Sequence, residues 1–150
     1  MKCIKDVDLY LKKTRILVID DSLPFQNLTG ELLKKFGVDS VEFASTLVDG
    51  MKKLHYSKDE TLPAPKYDLV LFDVNLPDGN GVRGCEFVSN HAATHNIPVV
   101  VISGNSQPYI VDAAFGAGAS DFLQKPFVPS LLKNRLGCLL KLRALGLVFN

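Results

Sequence analysis

The sequence predicts a single α/β domain built on a doubly wound, five-stranded parallel sheet with helices on both faces. Three observations predict this fold class. The chain has 150 residues, 47% of them apolar and 22% charged, which is enough to bury one core. Short runs of unbroken apolar residues indicate strands that are buried on both faces. Amphipathic helical patterns lie between those runs, as in alternating strand and helix units.

Four apolar runs and one weaker run predict the strands. Right-handed crossovers between parallel strands place all their carboxyl ends at one edge of the sheet. Ligands of such sheets bind at that edge, where the strand order reverses. The predicted strands are residues 15–19, 38–43, 68–72, 97–102 and, more weakly, 121–124.

Helical periodicity fills the intervals. Phe25, Leu28, Leu32 and Phe36 are spaced by three, four and four residues, Ser22 is a candidate N-cap, and Gly37 a candidate stop. Similar patterns predict helices around residues 47–54, 82–92 and 110–115, and a long last helix from 129 to about 147. Residues 57–66, with two prolines, predict an enlarged exposed loop. We divide the chain into an N-terminal extension, 1–13, and one domain, 14–150.

Charge and composition argue against several classes of protein. The 17 basic and 16 acidic residues leave a net charge of +1, without the positive field of a nucleic-acid or membrane-surface binder. The three cysteines are scattered, which predicts neither a disulfide framework nor a zinc site and favours a cytoplasmic location. No apolar run approaches the roughly 20 residues that span a bilayer. Residues 1–13 lack the apolar stretch of a secretory leader.

Polar residues follow the predicted strands at their carboxyl ends. Asp20 and Asp21 follow the first strand, Asp73 the third, Ser103 the fourth and Lys125 the fifth. Three carboxylates at one edge repel, so one must bind a proton unless a cation neutralises them. Mg²⁺ prefers oxygen ligands and commonly acts beside phosphate groups. The alternative is that each aspartate only caps a helix, but the coincidence of acids, hydroxyl and amine favours a site.

An aspartate in such a site can attack phosphorus and form an acyl phosphate. Asp73 is the candidate, because its strand is predicted at the centre of the sheet. Lys125 could contact both this carboxylate and a phosphoryl oxygen. Ser103 could donate a hydrogen bond to another phosphoryl oxygen.

These residues resemble the receiver domain of two-component response regulators, as in chemotaxis receivers, over about residues 14–142. The resemblance rests on the pair Asp20-Asp21, the segment Asp73-Val-Asn-Leu-Pro77 with Gly81 beyond it, Ser103-Gly104, and Phe122-Leu-Gln-Lys125-Pro126-Phe127. Ser103 lies 30 residues after Asp73, and Lys125 lies 22 after Ser103, as is usual in that family. The interval from Asp21 to Asp73 is longer than usual, and residues 57–66 account for the excess.

The resemblance implies a flavodoxin-like strand order, 2-1-3-4-5, which is known from chemotaxis receivers. It implies that Asp73 accepts a phosphoryl group from a sensor histidine kinase or a histidine phosphotransfer protein. Asp21, Asp73 and the backbone carbonyl of Asn75 would bind Mg²⁺, and Asp20 would do so directly or through water. Lys125 would pair with the phosphoryl group, and its bond to Pro126 would be cis.

The resemblance also implies a conformational switch. Ser103 and Phe122 would report phosphorylation to an output surface, and Asn75 and Asn105 would tune dephosphorylation. The chain would then catalyse its own phosphorylation and dephosphorylation rather than act as a classical enzyme. Its output would be a downstream effector protein or a fused output domain. The apolar segment 139–149 suggests a homodimer contact or a linker.

Two other interpretations stay open, and a third can be set aside. A receiver-like module could bind partners without phosphorylation, although the intact key residues argue against it. A phosphatase of the haloacid dehalogenase type uses similar groups, but its nucleophile comes first in the chain and its acidic pair last. Gly79, Gly81 and Gly84 fit a dinucleotide-binding pattern, but no acidic residue stands where the ribose would need one, so a glycine-rich turn is the better interpretation.

Overall fold

The computed structural model describes residues 2–54 and 66–146, the first five of them as backbone only. The loop predicted at 57–66 lies outside the described residues except for Lys66. Residues 147–150, at the end of the predicted last helix, also lie outside them. No helix in the described ranges is long and apolar enough to cross a membrane.

The described chain alternates strands and helices around one main sheet. Its elements are α1 (Lys2–Leu11), β1 (Arg15–Ile19), α2 (Leu23–Lys35), β2 (Ser40–Ala44), α3 (Leu47–Lys53), β3 (Leu69–Asp73), β4 (Asn75–Leu76), β5 (Gly79–Asn80), α4 (Gly81–Asn90), β6 (Val99–Ser103), α5 (Pro108–Gly116), β7 (Asp121–Gln124) and α6 (Pro129–Ala144). The five strands of the main sheet are parallel in the order β2-β1-β3-β6-β7, equivalent to the predicted 2-1-3-4-5, and β4 and β5 form a small antiparallel pair. This confirms the predicted fold class.

Strands β1 and β7 have the predicted bounds, whereas β2, β3 and β6 lie slightly further along the chain. In β3 and β6 the shift has a structural cause, because the sheet pairing continues through the first polar residue after the apolar run. Asp73 is in register with Ile102, and Ser103 with Gln124. Both polar residues are therefore the last residues of strands rather than the first residues of loops, which fixes their positions.

The central strands are buried on both faces, as their unbroken apolarity predicted. One core cluster lies between the sheet and α3, α4 and α5, and includes Phe72, Leu54 and Val88. The other lies between the sheet and α1, α2 and α6, and includes Leu71, Leu33 and Leu136. The helices thus cover both faces of the sheet. The strand ends stay uncovered, and we call them the amino edge and the carboxyl edge of the sheet.

Helix α2 begins and ends as predicted, but the face that it buries differs from the predicted apolar stripe. Ser22 accepts a hydrogen bond from the Phe25 N–H as N-cap, and Gly37 follows the helix at φ +90°. Leu28 is exposed, and Gln26 is buried in its place. The reason is that the Gln26 amide finds partners inside, since it donates to the Asp20 carbonyl at 2.5 Å and to Ser45 Oγ at 3.1 Å.

Residues 2–11, predicted only as an extension, form the helix α1 against α6. Leu11 is fully buried in the same cluster as Leu139 and Leu140. A Cβ atom at Gly137 would lie 2.1 Å from Val7 Cγ1, so the helices touch closely there. Part of the apolar segment that suggested a dimer contact is therefore covered by α1. The division at residue 13 and the homodimer remain predictions.

Candidate functional site

The carboxyl edge of the sheet brings three aspartates together. One carboxylate oxygen from each of Asp20, Asp21 and Asp73 lies within 4.8 Å of the others. Asp73 ends the central strand β3, and Asp20 follows the neighbouring strand β1. Asp20 and Asp73 are both buried, Asp20 completely, whereas Asp21 is exposed. The cluster is therefore open to solvent on the side of Asp21.

Asp20 is fixed by hydrogen bonds from three directions. Its Oδ1 accepts from the Ser22 N–H at 2.8 Å, and its carbonyl accepts from the Gln26 amide. Its own N–H donates to the Ala44 carbonyl at 2.9 Å. A buried carboxylate so held has little freedom to turn away from its acidic neighbours.

Lys125 joins two of the aspartates. Its Nζ lies 2.5 Å from Asp20 Oδ2 and 3.1 Å from Asp73 Oδ2. The backbone N–H of Lys125 donates to the Ser103 carbonyl at 2.8 Å, which ties this residue to the end of β6. The Lys125–Pro126 peptide bond is cis, as predicted. The amine thus lies where a cation can contact the carboxylate that would carry a phosphoryl group.

The charges at this edge do not balance within the cluster, where one lysine faces three carboxylates. Burial raises the pKa of the Asp73 carboxyl group above its usual value, the Lys125 ammonium opposes that rise, and the Asp20 carboxylate adds to it. A bound cation would relieve this repulsion. Clustered carboxylate oxygens are the hard donors that Mg²⁺ prefers, so these residues fit such an ion.

The turn after β3 approaches Asp73 closely. The Asn75 N–H donates to Asp73 Oδ1 at 3.2 Å, while the Asn75 residue itself is exposed. The Gly81 N–H donates to the Val74 carbonyl, and a Cβ atom at Gly81 would lie 1.8 Å from the Asp73 carbonyl oxygen. A side chain there is excluded. Packing against the backbone therefore explains the glycine at position 81. At Gly79 and Gly84, the other glycines of the dinucleotide-binding pattern, a Cβ atom would lie 2.7 and 2.4 Å from neighbouring side chains, so packing explains these glycines too.

Ser103 ends β6 next to Asp73 on β3, and it is fully buried. Its Oγ accepts from the Asn105 N–H at 3.0 Å, and Asn105 Oδ1 accepts from the Gln107 N–H at 3.0 Å. Asn105 itself is exposed. Phe122, on β7, is half-buried and packs against the core cluster beneath α5. The structure thus places Ser103 beside Asp73 and Phe122 one strand further away.

The sequence matches the response regulator receiver domain family over residues 16–137. The chain belongs to this family. As a receiver domain it is homologous to the receivers of histidine kinases and response regulators in two-component signalling. Phosphorylation is typical of this family, and its receiver domains interact with histidine kinases and output domains. The family typically binds Mg²⁺ at its aspartate cluster, and this chain has such a cluster.

Two known proteins each contain a segment that is similar to this chain. The receiver is 34% identical over 132 residues to the 3',5'-cyclic-nucleotide phosphodiesterase regA of Dictyostelium discoideum, covering 86% of this chain and 16% of that protein. It is 28% identical over 121 residues to the signal transduction histidine-protein kinase BarA of Escherichia coli (strain K12), covering 81% and 12%. This chain therefore spans less than a fifth of either relative.

A solved structure has the same fold. The response regulator receiver domain protein (CheY-like) from Methanospirillum hungatei JF-1 superimposes with a TM-score of 0.75 at 25% sequence identity. The match covers 89% of this chain and 98% of that one. The receiver fold thus accounts for nearly all of the solved chain.

Two residues of the site had no signal in the sequence. Phe25 places its ring under the Lys125 ammonium, with Nζ 4.1 Å from the ring centroid. Asp78 accepts from the N–H groups of Leu47 and Val48 at 2.7 and 3.0 Å, and these bonds lower the pKa of its carboxyl group. Asp78 thereby joins the turn after Asp73 to the start of α3. Both contacts are made between segments distant in sequence, so local patterns could not predict them.

Proposed function

We propose that this receiver accepts a phosphoryl group on Asp73, with Mg²⁺ held by Asp20, Asp21, Asp73 and the backbone carbonyl of Asn75. The observation that carries the proposal is the contact of Lys125 with both Asp20 and Asp73 beside a third carboxylate. This arrangement supplies a nucleophile, a fixed cation and oxygen ligands for a second cation. A receiver of this kind takes its phosphoryl group from a sensor histidine kinase or a histidine phosphotransfer protein.

The transfer follows from the groups at the edge. A carboxylate oxygen of Asp73 forms a bond to phosphorus while the bond from phosphorus to the donor's histidine nitrogen breaks. The electron pair of that bond stays on the imidazole. Lys125 pairs with a phosphoryl oxygen, and the buried position of Asp73 keeps the attacking group poorly hydrated. Bound Mg²⁺ would neutralise the carboxylates and the incoming phosphoryl oxygens.

The response involves Ser103 and Phe122. The Ser103 hydroxyl can donate to a phosphoryl oxygen on Asp73, because the two residues end neighbouring strands. Movement of that hydroxyl would free space next to the half-buried ring of Phe122. This ring lacks a phenolic hydroxyl that could tether it outward. We infer that Ser103 and Phe122 act as the switch, and that exposed Asn75 and Asn105 control access of water and hence dephosphorylation.

Partner docking is consistent with the surface around the site. Leu23 at the start of α2, and Val128 and Leu131 at the start of α6, are exposed by 64%, 57% and 43%. We infer that the phosphodonor protein covers these apolar side chains and that the output is a downstream effector protein or a fused domain, in the cytoplasm. We retain residues 14–150 as the receiver and 1–13 as its extension.

Incubation with acetyl phosphate and Mg²⁺ followed by intact mass spectrometry tests this function. We expect a gain of one phosphoryl group that is removed by hydroxylamine, as for an acyl phosphate. Asp73→Asn should abolish the gain. Asp39→Asn is the matched control, because Asp39 is an exposed aspartate outside the site, and it should be phosphorylated like the parent protein.

Other results would favour the alternatives. Calorimetry that detects Mg²⁺ binding, without any modification of Asp73, would favour a module that works without phosphorylation. Release of many phosphates per chain would favour the phosphatase. Modification that survives in Asp73→Asn would move the phosphorylation site to another residue.

A further inference from the structure

We propose that Phe25 is a positioning residue, whose aromatic ring holds the Lys125 ammonium at the phosphorylation site. The inference rests on the proposed function, in which Lys125 pairs with the phosphoryl group on Asp73. Phe25 follows the acidic pair by four residues, and neither composition nor motif singled it out for this role. Its role follows from three contacts that the structure shows.

The first contact is between the ring and the amine. Lys125 Nζ lies 4.1 Å from the centroid of the Phe25 ring, well inside the roughly 6 Å over which a cation is attracted to an aromatic face. The Lys125 side chain is only 20% exposed, so water screens this attraction less than at an open surface. The ring therefore contributes to holding the charge at the site.

The second contact concerns the geometry of the ammonium. The group has three N–H donors, and Asp20 and Asp73 are acceptors at 2.5 and 3.1 Å. The ring of Phe25 is a third neighbour close to the charge. The two carboxylates and the ring together define where Nζ lies, whereas an aliphatic residue at position 25 would offer the cation no electrostatic attraction.

The third contact fixes the ring itself. The Phe25 ring packs against the Phe127 ring, with centroids 5.0 Å apart and planes tilted by 54°. Phe127 lies two residues after Lys125, beyond the cis bond. At its other end, the Phe25 backbone N–H donates to the Ser22 Oγ cap of α2. Phe25 therefore joins the start of α2 to the segment that carries Lys125.

This arrangement leads to a specific expectation. Without the ring, the flexible lysine side chain can turn towards solvent, and fewer molecules have the ammonium in place when phosphorus is attacked. Phosphorylation should then slow although the nucleophile and the metal ligands are unchanged. Because the effect depends on an aromatic face rather than on volume, tyrosine should replace phenylalanine and leucine should not.

The test compares Phe25→Leu with Phe25→Tyr, and uses Phe36→Leu as the matched control. Phe36 is a half-buried phenylalanine at the other end of α2 that packs against the same core cluster. With acetyl phosphate and saturating Mg²⁺, Phe25→Leu should be phosphorylated about fivefold more slowly than the parent protein. Phe25→Tyr and Phe36→Leu should stay within about twofold of it.

A second readout detects the position of the amine directly. The ring current of Phe25 should shift the NMR signals of the Lys125 ε-methylene protons upfield, and Lys125→Gln assigns those signals. The shift should persist in Phe25→Tyr and Phe36→Leu and disappear in Phe25→Leu. This readout does not need phosphorylation, so it tests the position of Lys125 even if the proposed function fails.

The outcomes separate the two proposals. If the parent protein is phosphorylated and Phe25→Leu reacts as fast as Phe25→Tyr, the ring only fills space and the inference is wrong. An absent upfield shift in the parent protein would also overturn it. If the shift is present but acetyl phosphate leaves the parent protein unmodified, the proposed function fails while the contact of Phe25 with Lys125 stands.

Discussion

The charged clusters at the two edges of the sheet have opposite net charge. At the amino edge, one aspartate faces two arginines: Asp68 Oδ2 lies 3.3 Å from Arg15 Nε, and Asp68 Oδ1 lies 2.9 Å from Arg143. The Arg15 N–H also donates to Asp68 at 2.9 Å. At the carboxyl edge, three aspartates meet one lysine. The first edge has an excess of positive charge, and the second an excess of negative charge.

The difference shows which edge is suited to bind something. The arginines at the amino edge are each more than one-third exposed, so water can stabilise their excess charge. At the carboxyl edge two of the acids are buried, and the raised pKa of Asp73 reflects the cost of that burial. A cation from outside the chain relieves that cost. We therefore expect removal of a charged side chain at the amino edge to change stability, and removal of a charged side chain at the carboxyl edge to change binding and phosphorylation.

The largest effect should come from closing the space beside Asp73. Gly81→Ala would place a Cβ atom 1.8 Å from the Asp73 carbonyl oxygen, so the turn must move. We expect a loss of about 3 kcal/mol in the free energy of unfolding, measured by urea denaturation. Gly104→Ala is the control, because a Cβ atom there meets nothing within 4 Å. Equal stability of the two variants would contradict the close approach at Asp73.

Removal of one acid from each edge should separate metal binding from stability. Asp21→Ala should weaken Mg²⁺ binding about tenfold in calorimetry, because the site loses a charged oxygen ligand. Asp68→Ala should bind Mg²⁺ as the parent protein does. If both variants lose affinity equally, the effect comes from the overall charge of the domain rather than from the cluster.

The same Asp68→Ala variant should be less stable. It loses two ion pairs and the hydrogen bond from the Arg15 N–H, which together contribute about 1 kcal/mol at this partly exposed position. Urea denaturation should show this loss, while phosphorylation by acetyl phosphate should be unchanged. A loss of phosphorylation without a loss of stability would reverse the roles that we assign to the two edges.

The smallest effect concerns pH and contrasts two carboxyl groups. Hydrogen bonds from Tyr67 and Lys66 lower the pKa of Glu42 from 4.5, whereas burial raises that of Asp73. Glu42 therefore contributes stability above its unfolded pKa, and this contribution is lost as the pH falls through its lower folded pKa. The contribution of Asp73 to stability changes with pH in the opposite direction, because a carboxyl group with a raised pKa favours the folded state at low pH.

Glu42→Gln isolates this contribution. We expect the variant to lose slightly less stability than the parent protein when urea denaturation is repeated from pH 6 down to pH 3. The two curves should differ most above the unfolded pKa of Glu42 and converge below its folded pKa. Parallel curves over this range would show that the Tyr67 and Lys66 contacts do not affect the titration of Glu42.

The strands and the residues of the site could be predicted because their signals are local. An unbroken apolar run marks a strand that is buried on both faces, and a polar residue at its end marks the edge of the sheet. Asp20, Asp73 and Lys125 were located in this way, and the structure brings them together. Their individual chemical roles stay predictions.

Features that depend on distant partners escaped prediction. Gln26 is buried because the Asp20 carbonyl and Ser45 satisfy its amide, and Phe25 faces a lysine 100 residues away in the chain. Asp78 caps a helix that lies earlier in the sequence. Helix α1 is held by α6, near the other end of the chain. In each case the partner is brought close only by the complete fold.

Gly137 makes the close contact between α1 and α6 possible. A glycine inside a helix lowers helix stability by about 1 kcal/mol relative to alanine, yet here it forms a notch that is one carbon atom deep and receives Val7. A shortened chain starting at residue 14 would leave the notch empty and bring Leu139 and Leu140 into water. Such a protein should self-associate through the uncovered leucines, so any preparation of the receiver for binding studies should keep its first helix.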